Sequence, residues 1–378
     1  MKIAYLEDGP VPVPAAYSVH TLATVAAMGE LGHDVTLYGP AHPGRVRGAA
    51  DLAAMRREQS LRGPFNLRYL PTVPRLPHPF FVLAAAAARL GGAELVYLRN
   101  PRLAGFAARA GLRVLLELHD TPPSDRTRQH LRELARHDRV ARWVFVSERL
   151  RQLMAPEIAF PVERSLVAHN GVALELYSNL PSRESARRAL GLRVDGPVVV
   201  HSGHLYAGRG IELLLDVAGA MPQLLVVLVG GRPNDSARVA ADVARRRLDN
   251  VVLAGHRPVA ELPLYLAAGD VLALPYTSGA VTVDGTTQHS QFASPMKTFE
   301  YLASGRPIVA TRFPSIAEVL RDGDTAILVD PDSAAALGAG IAAVLADPAR
   351  AAALGANARR DAEERTWVKR TQRVLEGL

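Results

Sequence analysis

Eleven short runs of aliphatic and β-branched residues recur along the chain, with helical or loop segments between them. The first five are KIAYL (2–6), DVTLYG (34–39), LVYLRN (95–100), VLLEL (114–118) and WVFVS (143–147). The other six are PVVVHSG (197–203), LLVVLVGG (224–231), NVVLAG (250–255), DVLALPY (270–276), RPIVAT (306–311) and AILV (326–329). Runs this short and continuously apolar suit strands buried on both faces, and helices between them require parallel crossovers. The expected fold class is therefore α/β, with two doubly wound, Rossmann-like domains. A length of 378 residues, nearly half of them apolar, agrees with two cores rather than one. The polar, Pro/Gly-punctuated stretch SNLPSRESARRALGLRVDGP places the boundary near 178–195, giving domains of 1–180 and 181–360. A last helix, about 360–378, is expected to pack back on the first domain. Ligands of open parallel sheets bind beyond the carboxyl ends of the strands, so two such domains facing each other would enclose a cleft.

Composition narrows the chemistry. The chain has no cysteine, which removes disulfides, thiolate metal sites and cysteine nucleophiles and suits a reducing, cytoplasmic compartment. The opening MKIAYLEDG offers no secretion signal, because its apolar run ends at Glu7. FFVLAAAAA (80–88) is about half of a membrane span and reads as a buried helix. The net charge of +7 leans toward the N-terminal half through residues such as Arg45, Arg56, Arg126 and Arg132. Without zinc-finger spacing or an RNA-binding aromatic motif it does not indicate nucleic acid; it suits a phosphorylated or lipid-linked acceptor and peripheral contact with the inner membrane face. No GxGxxG follows the first strand, which argues against a nicotinamide or flavin enzyme. Asp322-Gly323-Asp324 imitates a metal-binding pair but sits between a helix and a strand, as a surface turn does.

Candidate site residues follow the strands. His119 and Asp120 come after VLLEL, Gly203 after VVVHS, Gly230 after VVLV, and His256 and Arg257 after NVVLAG. SPMKTFEYLASG (294–305) reads as a helix with Ser294 as N-cap and Pro295 at the first helical position. That leaves the N–H groups of Met296, Lys297 and Thr298 without intrahelical partners, a ready anion site. Glu300 lies one turn on, roughly 6 to 9 Å beyond the anion at about 1.5 Å of rise per residue, the reach from a diphosphate to a ribose.

Four colinear segments resemble the retaining, family-4-like GT-B glycosyltransferases, also called glycosyl transferases group 1. They are HNGV (169–172), HSGHLYAGRGIELLLDVA (201–218), LAGHRPVAELPLYLAAGDVLALPY (253–276) and SPMKTFEYLASGRPIVAT (294–311), and the likeness covers essentially the whole chain. It implies transfer of a sugar from a UDP- or GDP-sugar donor to an acceptor hydroxyl, in a bacterial enzyme with neither cofactor nor metal. It makes His204 and Arg209 the cations on the donor diphosphate, Glu300 the acceptor of ribose hydroxyls, and His119 a catalytic residue facing the donor sugar from the N-terminal domain. His256 and Arg257 stand where the base is read. The family's first Glu is replaced by Phe292, so the sugar contacts there fall to loop residues such as Gln288, His289 and Gln291, or to a sugar with fewer hydroxyls. Ser18 and His20, after the proline-rich first loop, are assigned to the acceptor side. Two alternatives stay open: an epimerase of the same fold, and a catalytically silent nucleotide-sugar binding protein.

Overall fold

The computed structural model describes residues 1–46, 48–73, 76–279 and 291–378. They form two compact units, Met1–Gly171 with Trp367–Leu378, and Val172–Thr366.

Unit one holds seven parallel strands: β1 (Lys2–Leu6), β2 (Asp34–Pro40), β3 (Asn66–Leu70), β4 (Leu95–Leu98), β5 (Val114–Leu118), β6 (Val140–Phe145) and β7 (Ser165–Val167), in the order β3-β2-β1-β4-β5-β6-β7. The central strands β4 and β5 are buried at every position, as their continuous apolar sequences require. The edge strands β3 and β7 are absent from the sequence-based set. NLRYL carries an arginine and half-exposed positions, and SLV is only three residues long, so neither has the apolar signature of a central strand. The helices between them are α1 (Ala16–Glu30), α2 (Ala49–Glu58), α3 (Pro77–Leu90), α4 (Pro101–Arg109), α5 (Asp125–Ala135) and α6 (Glu148–Ile158). The Asn100 side chain caps α4 by accepting from Arg102 N at 2.8 Å, and Ser147 caps α6. The run 80–88 lies within α3: Phe80, Phe81, Ala84, Ala85 and Ala88 are buried, whereas Val82 and Leu83 face outward. No single described helix is long and apolar enough to cross a membrane.

Unit two holds β8 (Val198–Gly203), β9 (Leu225–Gly230), β10 (Val251–Gly255), β11 (Val271–Leu274), β12 (Ile308–Thr311) and β13 (Ile327–Val329), parallel in the order β10-β9-β8-β11-β12-β13. Its helices are α7 (Arg183–Ala189), α8 (Ile211–Ala220), α9 (Pro233–Arg246), α10 (Leu262–Ala268), α11 (Met296–Ser304), α12 (Pro314–Ala317), α13 (Ala334–Ala346) and α14 (Pro348–Glu363). The strand period splits the core between the two faces of the sheet. Val198 and Val200 pack with Phe299 and Leu302 on one side, and Val199 with Leu214 and Ile341 on the other.

The polar stretch 178–195, expected to be the domain boundary, belongs to unit two instead. Buried Arg187 of α7 donates to the carbonyls of Ala268 (2.9 Å), Val194 (2.9 Å) and Gly196 (3.1 Å) and pairs with Asp270 at 2.6 Å. Asp270 also accepts from Val198 N at 2.8 Å, which ties the stretch to the start of β8. The units meet in sequence at Gly171–Val172. The last helix, α15 (Trp367–Leu375), lies in unit one, where Val374 and Leu375 share a core with Leu22 and Val25 of α1.

Replacing Arg187 with Ala leaves Asp270 its second ion-pair partner, Arg183 at 2.6 Å, but removes the buried half of the pair and the donor to three carbonyls. The expected cost is about 3 kcal/mol of unfolding free energy, readable by chemical denaturation; a loss below about 1 kcal/mol would mean that the ion pair does not hold this stretch.

Candidate functional site

The strand order reverses beside β8 and β11 in unit two and beside β1 and β4 in unit one, and both candidate sites lie at these points. In unit two, β8 and β9 end in Gly203 (φ +118°) and Gly230 (φ +119°). A Cβ on Gly230 would fall 2.2 Å from the Gly203 carbonyl oxygen, and one on Gly203 would fall 2.5 Å from the Nζ of Lys297. The absence of a side chain is thus what admits the ammonium to the end of β8. The helix carrying it, α11, is anchored by Tyr301, whose hydroxyl accepts from Ser202 N at 2.8 Å and lies 3.4 Å from the Ala273 carbonyl.

The described groups in contact with Lys297 carry no negative charge, and Glu300 acts on it only from beyond ion-pair distance. Its Nζ lies 3.4 Å from His201 Nε2 and 5.4 Å from the centroid of the Tyr276 ring. His201 Nδ1 sits 3.0 Å from the Ala273 carbonyl and so carries the ring proton, leaving the Nε2 lone pair toward the ammonium. Arg209 lies over the rings of Tyr206 (4.6 Å) and Tyr276 (4.9 Å) and donates to the Tyr206 hydroxyl. Its Nε has no partner. Among the described residues neither Lys297 nor Arg209 has a carboxylate within ion-pair distance. Burial and Arg209 push the Lys297 ammonium down to about 7, against the pull of Glu300. Burial likewise pushes the Glu300 carboxyl up to about 7, opposed by Lys297. Tyr177, which feels the Glu300 charge, has a buried hydroxyl without a partner among the described residues.

Several expectations change here. Helix α11 begins at Met296 with Pro295 as N-cap and no side-chain cap, one residue later than expected, and Ser294 is buried. Thr298 N donates to the Pro295 carbonyl at 3.0 Å, so only the N–H groups of Met296 and Lys297 remain without acceptors among the described residues. Burial, Lys297 and Arg209 push the His204 imidazole down to about 4, and it packs on Tyr206 at 5.3 Å. The Lys297 side chain, pushed down only to about 7, stays closer to its charged form than His204, and the sequence reading used it only for its backbone. Phe292 is 3% exposed, so its ring is a core group with little surface left for a sugar. Gln291 is partly exposed, and His289 lies outside the described residues, as does Gln288. His256 is exposed, and Arg257 folds back onto its own segment, donating to the Ala254 carbonyl at 3.1 Å and lying over the Tyr265 ring. In the Asp322–Asp324 turn, Asp322 pairs with Arg312 and Asp324 with Arg321, so arginines occupy both carboxylates.

In unit one, Ser18 and His20 lie on α1 and are buried. Ser18 Oγ accepts from Val13 N at 3.1 Å and holds the proline-rich loop. His20 packs edge-on against His119 (4.8 Å) and Trp367 (5.1 Å). Both histidines converge on Glu117, which the sequence reading took as part of an apolar strand: His119 Nε2 lies 2.7 Å and His20 Nε2 3.0 Å from Oε1. Burial works against ionisation of Glu117, but Arg370 and the histidines outweigh it and hold the carboxyl well below the usual range. Burial pushes His119 down to about 4 and His20 to about 3, so both rings are neutral near pH 7. His20, Glu117 and His119 each place a ligand-type atom within 4.8 Å of the others, as a metal site would. Arg370 already donates to the same carboxylate oxygen at 2.7 Å and supplies its positive charge, so the arrangement fits a hydrogen-bonded network better than a cation cage.

Two parallel sheets with flanking helices, each with its site at the point of strand reversal, define two Rossmann-like domains of the GT-B type. Residues 17–176 match the family model described as Glycosyltransferase Family 4, and residues 196–347 match that described as Glycosyl transferases group 1. The chain belongs to the family-4-like glycosyltransferases. It is 29% identical over 195 residues to a D-inositol 3-phosphate glycosyltransferase of Mycobacterium leprae, covering 49% of this chain and 41% of that protein. A Corynebacterium glutamicum protein of the same name is 27% identical over 231 residues, covering 57% and 51%. The chain thus matches about half the length of these relatives or less. In fold it is similar to Anabaena Alr3699/HepE, solved in complex with UDP and glucose, with a TM-score of 0.76 at 21% identity over 100% of this chain and 98% of that one. It is also similar to sucrose-phosphate synthase from Thermosynechococcus elongatus, with a TM-score of 0.77 at 19% identity over 98% and 96%.

The lowered value of Lys297 has a signed consequence. Between about 7 and its ordinary value of 10.5 the unfolded chain binds the proton and the folded chain does not, so this residue makes stability rise with pH across that window. Lys297→Met removes the effect. The melting-temperature advantage of the Met variant over the wild type should be largest near pH 7 and shrink toward pH 9.5; a constant difference would place Lys297 in solvent.

Proposed function

We propose that the chain is a retaining glycosyltransferase that moves a sugar from a nucleotide-diphosphate donor to an acceptor hydroxyl without requiring a metal. One observation carries this reading: two basic side chains, Lys297 and Arg209, without carboxylate partners among the described residues, stand with the N-terminal N–H groups of α11 at the end of β8, and Glu300 follows one turn later. Positive charge left unpaired in a partly desolvated site is stabilised when an anion arrives. Lys297, Arg209 and the helix N-terminus would neutralise the departing diphosphate, and Glu300 would accept from ribose hydroxyls. The sugar C1–O bond to the diphosphate breaks, a bond to the acceptor oxygen forms on the same face, and the hydroxyl proton passes to the departing diphosphate. No carboxylate nucleophile is assigned.

UDP is the first donor to test, because HepE is solved with it. The named relatives make phosphorylated polyols the first acceptors. Peripheral membrane contact would fit a lipid-linked acceptor, with the outward Val82 and Leu83 of α3 as its apolar element. An epimerase would need acid/base carboxylates facing the sugar, and Glu300 is committed to the ribose in this reading.

The test incubates the full chain with UDP- and GDP-sugars, with and without acceptors. Acceptor-dependent nucleotide release with the donor's anomeric configuration retained in the product supports the reading. Release independent of acceptor, an isomerised sugar nucleotide, or inversion contradicts it. Arg209→Gln and Lys297→Met should each lower turnover by about 100-fold, the scale of losing one transition-state donor. Glu300→Ala should weaken UDP binding by about 1 to 3 kcal/mol in calorimetry. Unchanged affinity would remove Glu300 from the ribose site.

A further inference from the structure

We propose that Glu117, itself held by Arg370 of α15, is a positioning residue that locks the His119 imidazole as its Nε2–H tautomer and leaves Nδ1 as the acceptor for a substrate hydroxyl. The role of Nδ1 rests on the transferase reading; the tautomer does not.

The Glu117 side chain is 0% exposed, one residue before the end of β5. A carboxylate has only acceptors, so each group that meets it must bring a proton. Oε1 accepts from His119 Nε2 and Arg370 Nη2, both at 2.7 Å, and Oε2 accepts from the Tyr97 hydroxyl. Arg370 is fixed from its other side, donating through Nε to the His169 carbonyl at 2.8 Å and through Nη2 to the Ala168 carbonyl at 3.3 Å. The imidazole therefore has its Nε2 edge clamped by a chain of buried groups that runs from the C-terminal helix through β5. Its side chain retains 17% exposure, and Nδ1 has no partner among the described residues.

Neutrality completes the assignment. The charged or titratable groups facing His119 are Glu117 on β5, His20 on α1, Arg99 after β4 and Arg370 on α15. Burial and Arg99 outweigh Glu117, so the ring does not take a second proton near pH 7. A neutral imidazole has one donor and one acceptor, and a fixed donor fixes the acceptor. Free rotation or the opposite tautomer would present an N–H where a substrate hydroxyl needs a hydrogen-bond acceptor. The same network explains why His20 is buried with so little hydrogen bonding of its own: its ring packs edge-on against His119 and restricts its tilt.

The experiment uses the full chain labelled with 15N-histidine. Long-range proton–nitrogen correlation at pH 7 reads the tautomer, with assignment from His119→Asn. The wild type should show a protonated Nε2 and an unprotonated Nδ1 for His119; the Nδ1–H form or an averaged signal overturns the proposal. Glu117→Gln/Arg370→Met removes both charges but keeps one acceptor oxygen, and should preserve the tautomer. Glu117→Leu/Arg370→Met removes the acceptor, and should give a mixed tautomer with turnover down about 100-fold, the scale of one lost hydrogen bond in the transition state, at unchanged UDP affinity. A folded Leu variant that keeps the wild-type tautomer or turnover overturns the proposal. If that variant does not fold, the wild-type and Gln spectra decide. A wild type with the Nε2–H form but no transfer activity would contradict the transferase reading and leave the assigned tautomer standing.

Discussion

An ammonium lying against a glycine, with no carboxylate at ion-pair distance among the described residues, is the contact on which the donor-side account depends. Lys297 reaches the end of β8 only because Gly203 has no side chain, and α11 holds that register only because Tyr301 ties it to Ser202 and Ala273. The local chemistry follows from that placement. Arg209 is kept between two tyrosine rings instead of pairing with an acid, His204 is forced neutral, and Glu300 is left poised between its two protonation states. Lys297 and Arg209 are raised in free energy by the lack of a counter-anion, a cost that a bound diphosphate would relieve in the proposed function. A site arranged in this way is stabilised most when negative charge accumulates, as it does on a departing diphosphate.

Unit one solves a different problem, that of holding a neutral ring still. Glu117 is buried and ionised because Arg370 is buried beside it, and the pair is stable because carbonyls at 168 and 169 and the Tyr97 hydroxyl satisfy what remains. Buried ion pairs seldom add net stability over apolar packing of the same volume. Retaining one behind His119 makes sense where it specifies an orientation, and α15, remote in sequence, supplies the guanidinium.

Much of this architecture is legible in the sequence because parallel strands announce themselves by continuous apolar runs. The strands that escape notice, NLRYL and SLV, are edges, where one side of the ladder is open and the apolar signal is dilute. At the sites, residue type was a better guide than role. Arg209, Gly203, Glu300 and His119 were all singled out, yet Lys297, pushed to about 7, stays closer to its charged form than His204, pushed to about 4, because burial acts on both from different starting values and burial is not written in spacing. A signal was present: only three of the 44 basic residues (Lys+Arg) are lysines, and Lys297 is the one inside a motif. Glu117 was hidden for the opposite reason, since its carboxylate lies within an otherwise apolar strand and its partner Arg370 is 253 residues away. Phe292 was given a sugar-facing role by its position in a motif, whereas its ring obeys the simpler preference for the interior.

With so few lysines, the Nζ signal of Lys297 can be followed directly by nitrogen-detected side-chain NMR, assigned with Lys297→Arg. In the free protein the account predicts titration near pH 7, where burial and Arg209 have pushed it, and a clear upward move when saturating UDP brings its diphosphate to the ammonium. A Lys297 that titrates at its ordinary value, or whose titration UDP leaves untouched, would contradict the claim that this ammonium is the second cation of the donor site.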